Sequence, residues 1–213
     1  MSSLKLKHSS GNGTIINAPA ANPSSDITLK VPSTTGSAGQ VLKVASANHS
    51  ATNAELEWSA GGLFSAWAQV YELAGSTGAD GGTFTSGAMR TRVLNTEEDP
   101  SNIVSISSNQ FTLGAGTYII RWSAPAYEVS QHVTQLYDVT NTAVAARGSQ
   151  AYSYYDTNNA DSRSVGIARV TITGNTAYEI QHQAGMTQNT NGFGPGMGGQ
   201  LYKFTIVEIL KEA

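Results

Sequence analysis

At 213 residues the chain has room for one medium β domain plus an extension. Charged residues make up only 13% and the net charge is −3, so the composition lacks the clustered Lys and Arg that neutralise phosphates, and the high net charge of a disordered chain. There is no cysteine, which excludes disulfides and thiolate metal sites, and no run approaches the roughly 18 apolar residues of a membrane-spanning helix.

The first 60 residues differ from the rest. Trp58 is their only aromatic residue, Pro19, Pro23 and Pro32 fall among them, and every arginine lies after them. Lys5 and Lys7 are not followed by an apolar run, so the N-terminus is not read as a secretory signal. Short alternating runs predict strands at Ile27 to Val31, Gln40 to Val44 and Leu56 to Trp58. Turn chemistry separates them at Gly11-Asn12-Gly13, Ala21-Asn22-Pro23 and Thr35-Gly36-Ser37. This stretch has too few large apolar side chains for its own core. An ordered arm of this kind must dock on sister subunits, on a larger assembly, or back on its own second unit. Ser59-Ala60-Gly61-Gly62 is the expected hinge.

Beyond the hinge the pattern is strand after strand. The predicted elements are Phe64 to Leu73, Met89 to Leu94, Ile103 to Leu113, Thr117 to Tyr127 and His132 to Val139. Ala143 to Arg147, Val165 to Thr173, Ala177 to Gln183 and Leu201 to Leu210 follow. Turns such as Gly114-Ala115-Gly116 and Thr173-Gly174-Asn175 separate them. No helical period runs beyond two turns, and no repeat of 20 to 50 residues is present. The fold class expected is all-β, a sandwich or barrel preceded by an extended arm.

Two passages carry a family resemblance. Leu4-Lys5-Leu6-Lys7, Ile15-Ile16-Asn17-Ala18-Pro19, Asp26 to Pro32, Gly36 to Lys43 and Leu56-Glu57-Trp58 follow one another in an order that resembles the N-terminal segment of phage fibre and appendage proteins, especially those of marine phages infecting cyanobacteria. Phe111 to Trp122, with Tyr178 to Gln183 and the closing Phe204 to Ile209, is similar to the C1q/TNF-like jelly-roll family. The first resemblance implies a virion protein. The second implies an antiparallel jelly-roll β-sandwich head at residues 61–213, with residues 1–60 as attachment and oligomerisation arm, and a homotrimer. A collagen-like stalk often precedes such heads. None is read here, because Gly192, Gly194, Gly196 and Gly198 recur every second residue and collagen needs every third.

Motifs for chemistry are sparse. Gly194-Pro195-Gly196-Met197-Gly198-Gly199 matches GxGxxG, but it leads into a predicted strand and not into the helix that a dinucleotide site needs. A flexible loop near a threefold axis is the competing reading. Asp156-Thr157-Asn158-Asn159-Ala160-Asp161 resembles a calcium loop, yet position six is Asp161 instead of Gly and position twelve is Ile167 instead of Glu. Glu97-Glu98-Asp99-Pro100 reads as a solvated turn. His8, His49, His132 and His182 are isolated in sequence, without metal-ligand spacing. There is no GxSxG elbow and no cysteine nucleophile, so no enzyme activity, cofactor or metal is expected.

The recognition candidates are Tyr154, Tyr155, Asp156, Asn158 and Asn159. Tyrosine offers a flat apolar face and a hydroxyl, and Asn and Asp add adaptable hydrogen bonds, a combination suited to a host cell-surface glycan. The same alternation allows Tyr152 and Tyr154 to point inward and fill the core. The expected function is a trimeric tail-fibre or appendage subunit that aids host attachment, made in the host cytoplasm and carried on the virion. Its partners are copies of itself and other virion proteins through the arm, with neither nucleic acid binding nor membrane insertion. The alternatives are a capsid decoration or head-fibre protein with a purely structural role, and a soluble C1q-like lectin.

Overall fold

The computed structural model describes residues 3–7, 13–17, 28–50, 53–154 and 160–213. The described residues are strands and turns without a helix. They fall into two compact units, Met1–Gly61 and Gly62–Ala213.

The first unit holds β1 (Ser3–Lys7), β2 (Gly13–Asn17), β3 (Thr28–Lys30), β4 (Gln40–Ser50) and β5 (Asn53–Ala60). β1 and β2 form an antiparallel pair, and β5 lies between a parallel β3 and an antiparallel β4. Leu42 sits opposite Trp58, and Val44 opposite Leu56. The Trp58 indole lies against Gly36, where any Cβ would collide with the ring, and donates to the Thr34 carbonyl at 2.8 Å. Other large apolar side chains described in this unit find little cover: Leu29, Val31, Val41, Leu42 and Val44 are exposed.

The second unit continues with β6 (Phe64–Leu73), β7 (Arg90–Thr91), β8 (Thr96–Glu98), β9 (Val104–Ser107), β10 (Gln110–Leu113) and β11 (Gly116–Tyr127). It closes with β12 (Ser130–Asp138), β13 (Ala143–Ser153), β14 (Asp161–Ile172), β15 (Thr176–Ala184) and β16 (Lys203–Glu212). Two antiparallel sheets result. One has the order β14-β11-β16-β6-β8. The other has the order β13-β12-β15-β10-β9, with β7 paired to β15. From β11 onward the chain enters the second sheet as the β12-β13 hairpin, returns as β14, crosses as β15 and returns as β16, which gives a jelly-roll. β11 and β14 pair without a register break from Gly116 opposite Ile172 to Tyr127 opposite Asp161.

Period-two alternation explains the core. Tyr118, Ile120 and Trp122 of β11, Val207 and Ile209 of β16, Leu136 of β12 and Tyr178 and Ile180 of β15 all face the space between the sheets and are buried there. Each such aliphatic side chain contributes about 1.5–3 kcal/mol when fully removed from water. Several predicted strands differ in extent, and two of them are split or cut short. Ile103 to Leu113 is a hairpin, because Ser108 and Asn109 both take positive φ, at 53° and 65°, and close β9 onto β10 in a two-residue turn. Met89 to Leu94 supplies only the two-residue β7, after which the Arg92 side chain turns into the interior.

Candidate functional site

The outward face of the β14-β11-β16-β6 sheet is unusually apolar. Antiparallel sheets that face water carry polar residues on that side. Here the register builds three rows across four strands. One runs Arg169, Ile119, Leu210, Trp67; the next Ile167, Arg121, Glu208, Gln69; the third Val165, Ser123, Ile206, Tyr71. Trp67, Val165 and Ile167 are 47%, 48% and 59% exposed. Shallow depressions surround Arg121, between Trp67, Gln69 and Leu210 on one side and Val165 and Ile167 on the other. Tyr71 is covered: Lys203 Nζ lies 3.8 Å from the centre of its ring, and its hydroxyl donates to Glu98 at 3.2 Å. The row ends are fixed by Arg169, which donates to both Glu212 carboxylate oxygens at 2.7 and 2.8 Å. Projecting apolar groups, shallow hollows and a central Arg121 beside Glu208 make a patch of the kind that marks a protein contact.

Sequence alternation places each of these residues outward, but it does not reveal that the four strands are neighbours. That depends on β16 lying between β11 and β6, a pairing of segments far apart in the chain.

Of the predicted recognition residues, Tyr154 is described and Tyr155, Asp156, Asn158 and Asn159 lie outside the described residues, as does most of the calcium-like loop. Tyr154 follows β13 and is 46% exposed; Tyr152 is 57% exposed, and their rings meet edge to face with centroids 6.4 Å apart. Neither fills the core, so the inward alternative does not hold for these two. Ser153, between them, is the buried one and accepts from the Val129 amide at 2.9 Å.

The glycine-rich stretch is a packed loop. A Cβ on Gly194 would strike the Phe204 ring, one on Gly196 would strike the carbonyls of Gly78 and Ala79, and the Gly196 amide donates to Asp80 at 2.7 Å. In the acidic turn, Asp99 accepts from the amides of Ser101 and Val104, and Glu98 pairs with Lys203 at 2.9 Å.

Between the sheets, at the end away from the aliphatic core, lies a polar layer that sequence spacing does not show. Arg92 is fully buried. Its guanidinium donates to Thr205 Oγ1 at 2.7 Å, to the Pro125 carbonyl at 3.2 Å, and to Glu72 Oε2 and the Phe193 carbonyl at 3.1 Å each, while lying 4.1 Å from the centre of the Phe193 ring. Burial lowers Arg92 to about 10 and raises the Glu72 carboxyl, against the pull each exerts on the other. Beside them, His132 Nδ1 lies 2.9 Å from His182 Nε2, and His132 Nε2 lies 2.8 Å from Ser162 Oγ. Burial, then the Arg92 charge, holds His132 down at about 4 and His182 well below its ordinary value. The two histidines meet because β12 and β15 are neighbours, with His132 opposite Ala184 and Thr134 opposite His182. One signal was available: Arg92 alternates with the apolar Leu94 in sequence, and His132 shares a face of β12 with Leu136. Among the described residues no group of three or more His, Asp or Glu side chains could hold a metal ion.

Several solved structures have a similar fold. The globular domain of zebrafish complement 1qA protein is 14% identical, covering 68% of this chain and 94% of its own, with a TM-score of 0.43. Murine APRIL is 8% identical, covering 68% and 98%, with a TM-score of 0.45. The Eiger TNF of S. frugiperda is 9% identical, covering 70% and 92%, with a TM-score of 0.45. No family model and no curated protein matches the chain. The jelly-roll assignment stands on the strand order itself.

Proposed function

We propose that the chain is a non-catalytic, self-associating subunit of a bacteriophage virion appendage, a tail fibre or similar projection, whose head assembles as a homotrimer and contributes to host attachment. The observation that carries self-association is the outward face of the β14-β11-β16-β6 sheet, where Trp67, Val165 and Ile167 stand in water beside Ile119, Ile206 and Leu210. Its central charges, Arg121 and Glu208, are opposite in sign and adjacent across the β11-β16 register, so copies of one surface can be electrostatically complementary. Exposed apolar strands in the first unit add a second reason for an assembled state.

The number three and the virion setting rest on the sequence resemblances of residues 111–122 and 4–58. In this reading the arm joins the particle through other virion proteins, and the protein resides on the virion after synthesis in the host cytoplasm. A capsid decoration or head-fibre role is the second reading, since the same apolar face serves a purely structural trimer equally well.

The test is mass measurement of the intact protein, by light scattering across a wide concentration range, beside the Ile167→Glu variant. Three chains are expected for the parent. One chain is expected for the variant, because it replaces a projecting apolar group with a carboxylate whose desolvation in an interface costs several kcal/mol, even beside Arg121. A clean monomer for the parent refutes the assembly. Labelled imaging of virions then locates the protein on the particle.

A further inference from the structure

The opposite face of the sandwich has different chemistry. Across the outward side of the β13-β12-β15 sheet the register sets Tyr152 opposite Gln131, and Gln150 and Gln183 on either side of Val133. The next row joins Arg147, Gln135 and Gln181. Arg147 donates to Gln135 at 3.2 Å, Gln135 to Gln181 at 2.6 Å, and Gln181 to Glu179 at 2.7 Å, so this chain of hydrogen bonds crosses three strands. The Glu179 carboxylate at its end is held further by Thr91 at 3.2 Å and Gln110 at 3.3 Å. That row is internally satisfied and forms a fixed platform.

The row beside it is not satisfied. Gln131, Gln150 and Gln183 are exposed and border a groove of about 360 Å³, with Val133, Ala184 and Gly185 as its apolar part. Gln131 uses its carbonyl oxygen to accept from Ser130 at 2.8 Å, which leaves its amide hydrogens free. The Gln150 and Gln183 side-chain amides take no hydrogen-bond partner among the described residues. Gly185 keeps the groove open, since a Cβ there would press on the Gln131 carbonyl and side chain at 3.2–3.3 Å. Tyr152, next to the groove as the cross-strand neighbour of Gln131, is exposed and in edge-to-face contact with the exposed Tyr154.

We infer that this groove binds a neutral oligosaccharide. A volume of this size falls within the range for small-ligand sites, roughly 300–1,000 Å³. Each glutamine amide both donates and accepts, which matches the paired donor and acceptor character of vicinal sugar hydroxyls. Val133 suits the apolar C–H side of a pyranose ring, and Tyr152 supplies a flat face at low entropic cost. Among the described residues that line the groove none is ionised: His132 is almost fully buried and neutral, so a carboxylate or phosphate ligand would meet no counter-charge from them. That the sugar is displayed on a host cell rests on the appendage reading; the preference for a neutral sugar does not. The site uses β13, β12 and β15, whereas the apolar face uses β14, β11, β16 and β6, so sugar binding and assembly need not compete.

The experiment is binding of the full chain to an array of neutral hexose- and N-acetylhexosamine-terminated oligosaccharides printed beside sialylated and uronic-acid ones. Neutral sugars are expected to bind, and the acidic ones to bind no better. Gln183→Ala and Tyr152→Ala should each weaken that binding about threefold to tenfold, the range set by losing one hydrogen bond or contact. Tyr152→Phe should retain it, because the ring face remains. Binding to acidic sugars alone, to none, or with equal strength by the alanine variants overturns the inference. A monomer that still binds leaves the groove standing and removes the assembly; a trimer that binds no neutral sugar removes the groove alone.

Discussion

Replacing Arg92 with methionine should destabilise the head by about 3–5 kcal/mol, the range for removing one partner of a buried ion pair. The structure explains the size. The Arg92 side chain has no exposed surface and that of Glu72 has 9%, so water cannot take over the lost contacts. Glu72 would be left with Thr205, whose hydroxyl donates to Oε2 at 3.4 Å, while the carbonyls of Pro125 and Phe193 would lose a donor. Exchanging both residues, Arg92→Met with Glu72→Met, removes the stranded charge and should recover about half of the loss. The sign of the pH response follows. Burial already raises Glu72 above its ordinary value, and Arg92 opposes that rise. Without Arg92 the carboxyl shifts further up and binds its proton more tightly folded than unfolded. Ionised Glu72 then destabilises above the folded pKa, and the deficit of the single variant should shrink as pH falls through that value. Guanidinium denaturation at fixed chain concentration, followed by tryptophan fluorescence at about pH 7 and about pH 5, measures both effects. A loss below about 1 kcal/mol for Arg92→Met, or a double variant as unstable as the sum of the singles, would refute the reasoning.

Three further outcomes are expected. His132, ordinarily near 6.5, is held at about 4 in the fold, so the stability gained by keeping it neutral is complete above about pH 6.5 and lost as pH falls toward 4; the depression corresponds to at most about 3 kcal/mol, and His132→Gln should flatten that part of a stability-against-pH curve. Gly166→Ala would place a Cβ inside the Trp122 indole, which donates to Thr134 Oγ1 at 2.7 Å; a loss of about 1–3 kcal/mol and a red-shifted fluorescence spectrum are expected, and an unchanged spectrum would show that the ring yields without cost. Deleting residues 1–58 should leave a soluble head that no longer joins the particle; incorporation of the truncated head into virions would assign attachment elsewhere.

The fold was legible wherever alternation was strong. Phe64 to Leu73 is a strand at the predicted bounds, and β11 departs by one residue, because long runs of inward Tyr118, Ile120 and Trp122 leave one register possible. The break at Ser108-Asn109 was hidden because Asn109 lacks a following glycine, the usual mark of this turn. β13 runs on to Ser153, beyond the predicted Arg147, since Gly148 and the polar Ser149 and Gln150 carry little strand signal of their own. The surfaces were less legible than the strands. Gln131, Gln150 and Gln183 are unremarkable singly, and they become a groove only when β12 pairs with both β13 and β15. The histidine pair is a product of the same adjacency. In each case the missing information is long-range pairing, which composition and local periodicity do not contain.

The position of β16 between β11 and β6 has a consequence for biosynthesis. Val207 pairs with Val70 and with Trp122, so the ten residues Lys203–Glu212 complete a sheet whose other strands are translated much earlier. Until β16 has left the ribosome, β6 and β11 have no partner between them, and Val70 and Ile120 lack the cover of that strand. Closure of this sheet therefore waits on contacts distant in sequence, which are slow to form and aggregation-exposed. The first unit is translated before the second and has few buried apolar side chains among its described residues. For the whole interval before β16 arrives, the unpaired strands β6 and β11 call for chaperone cover.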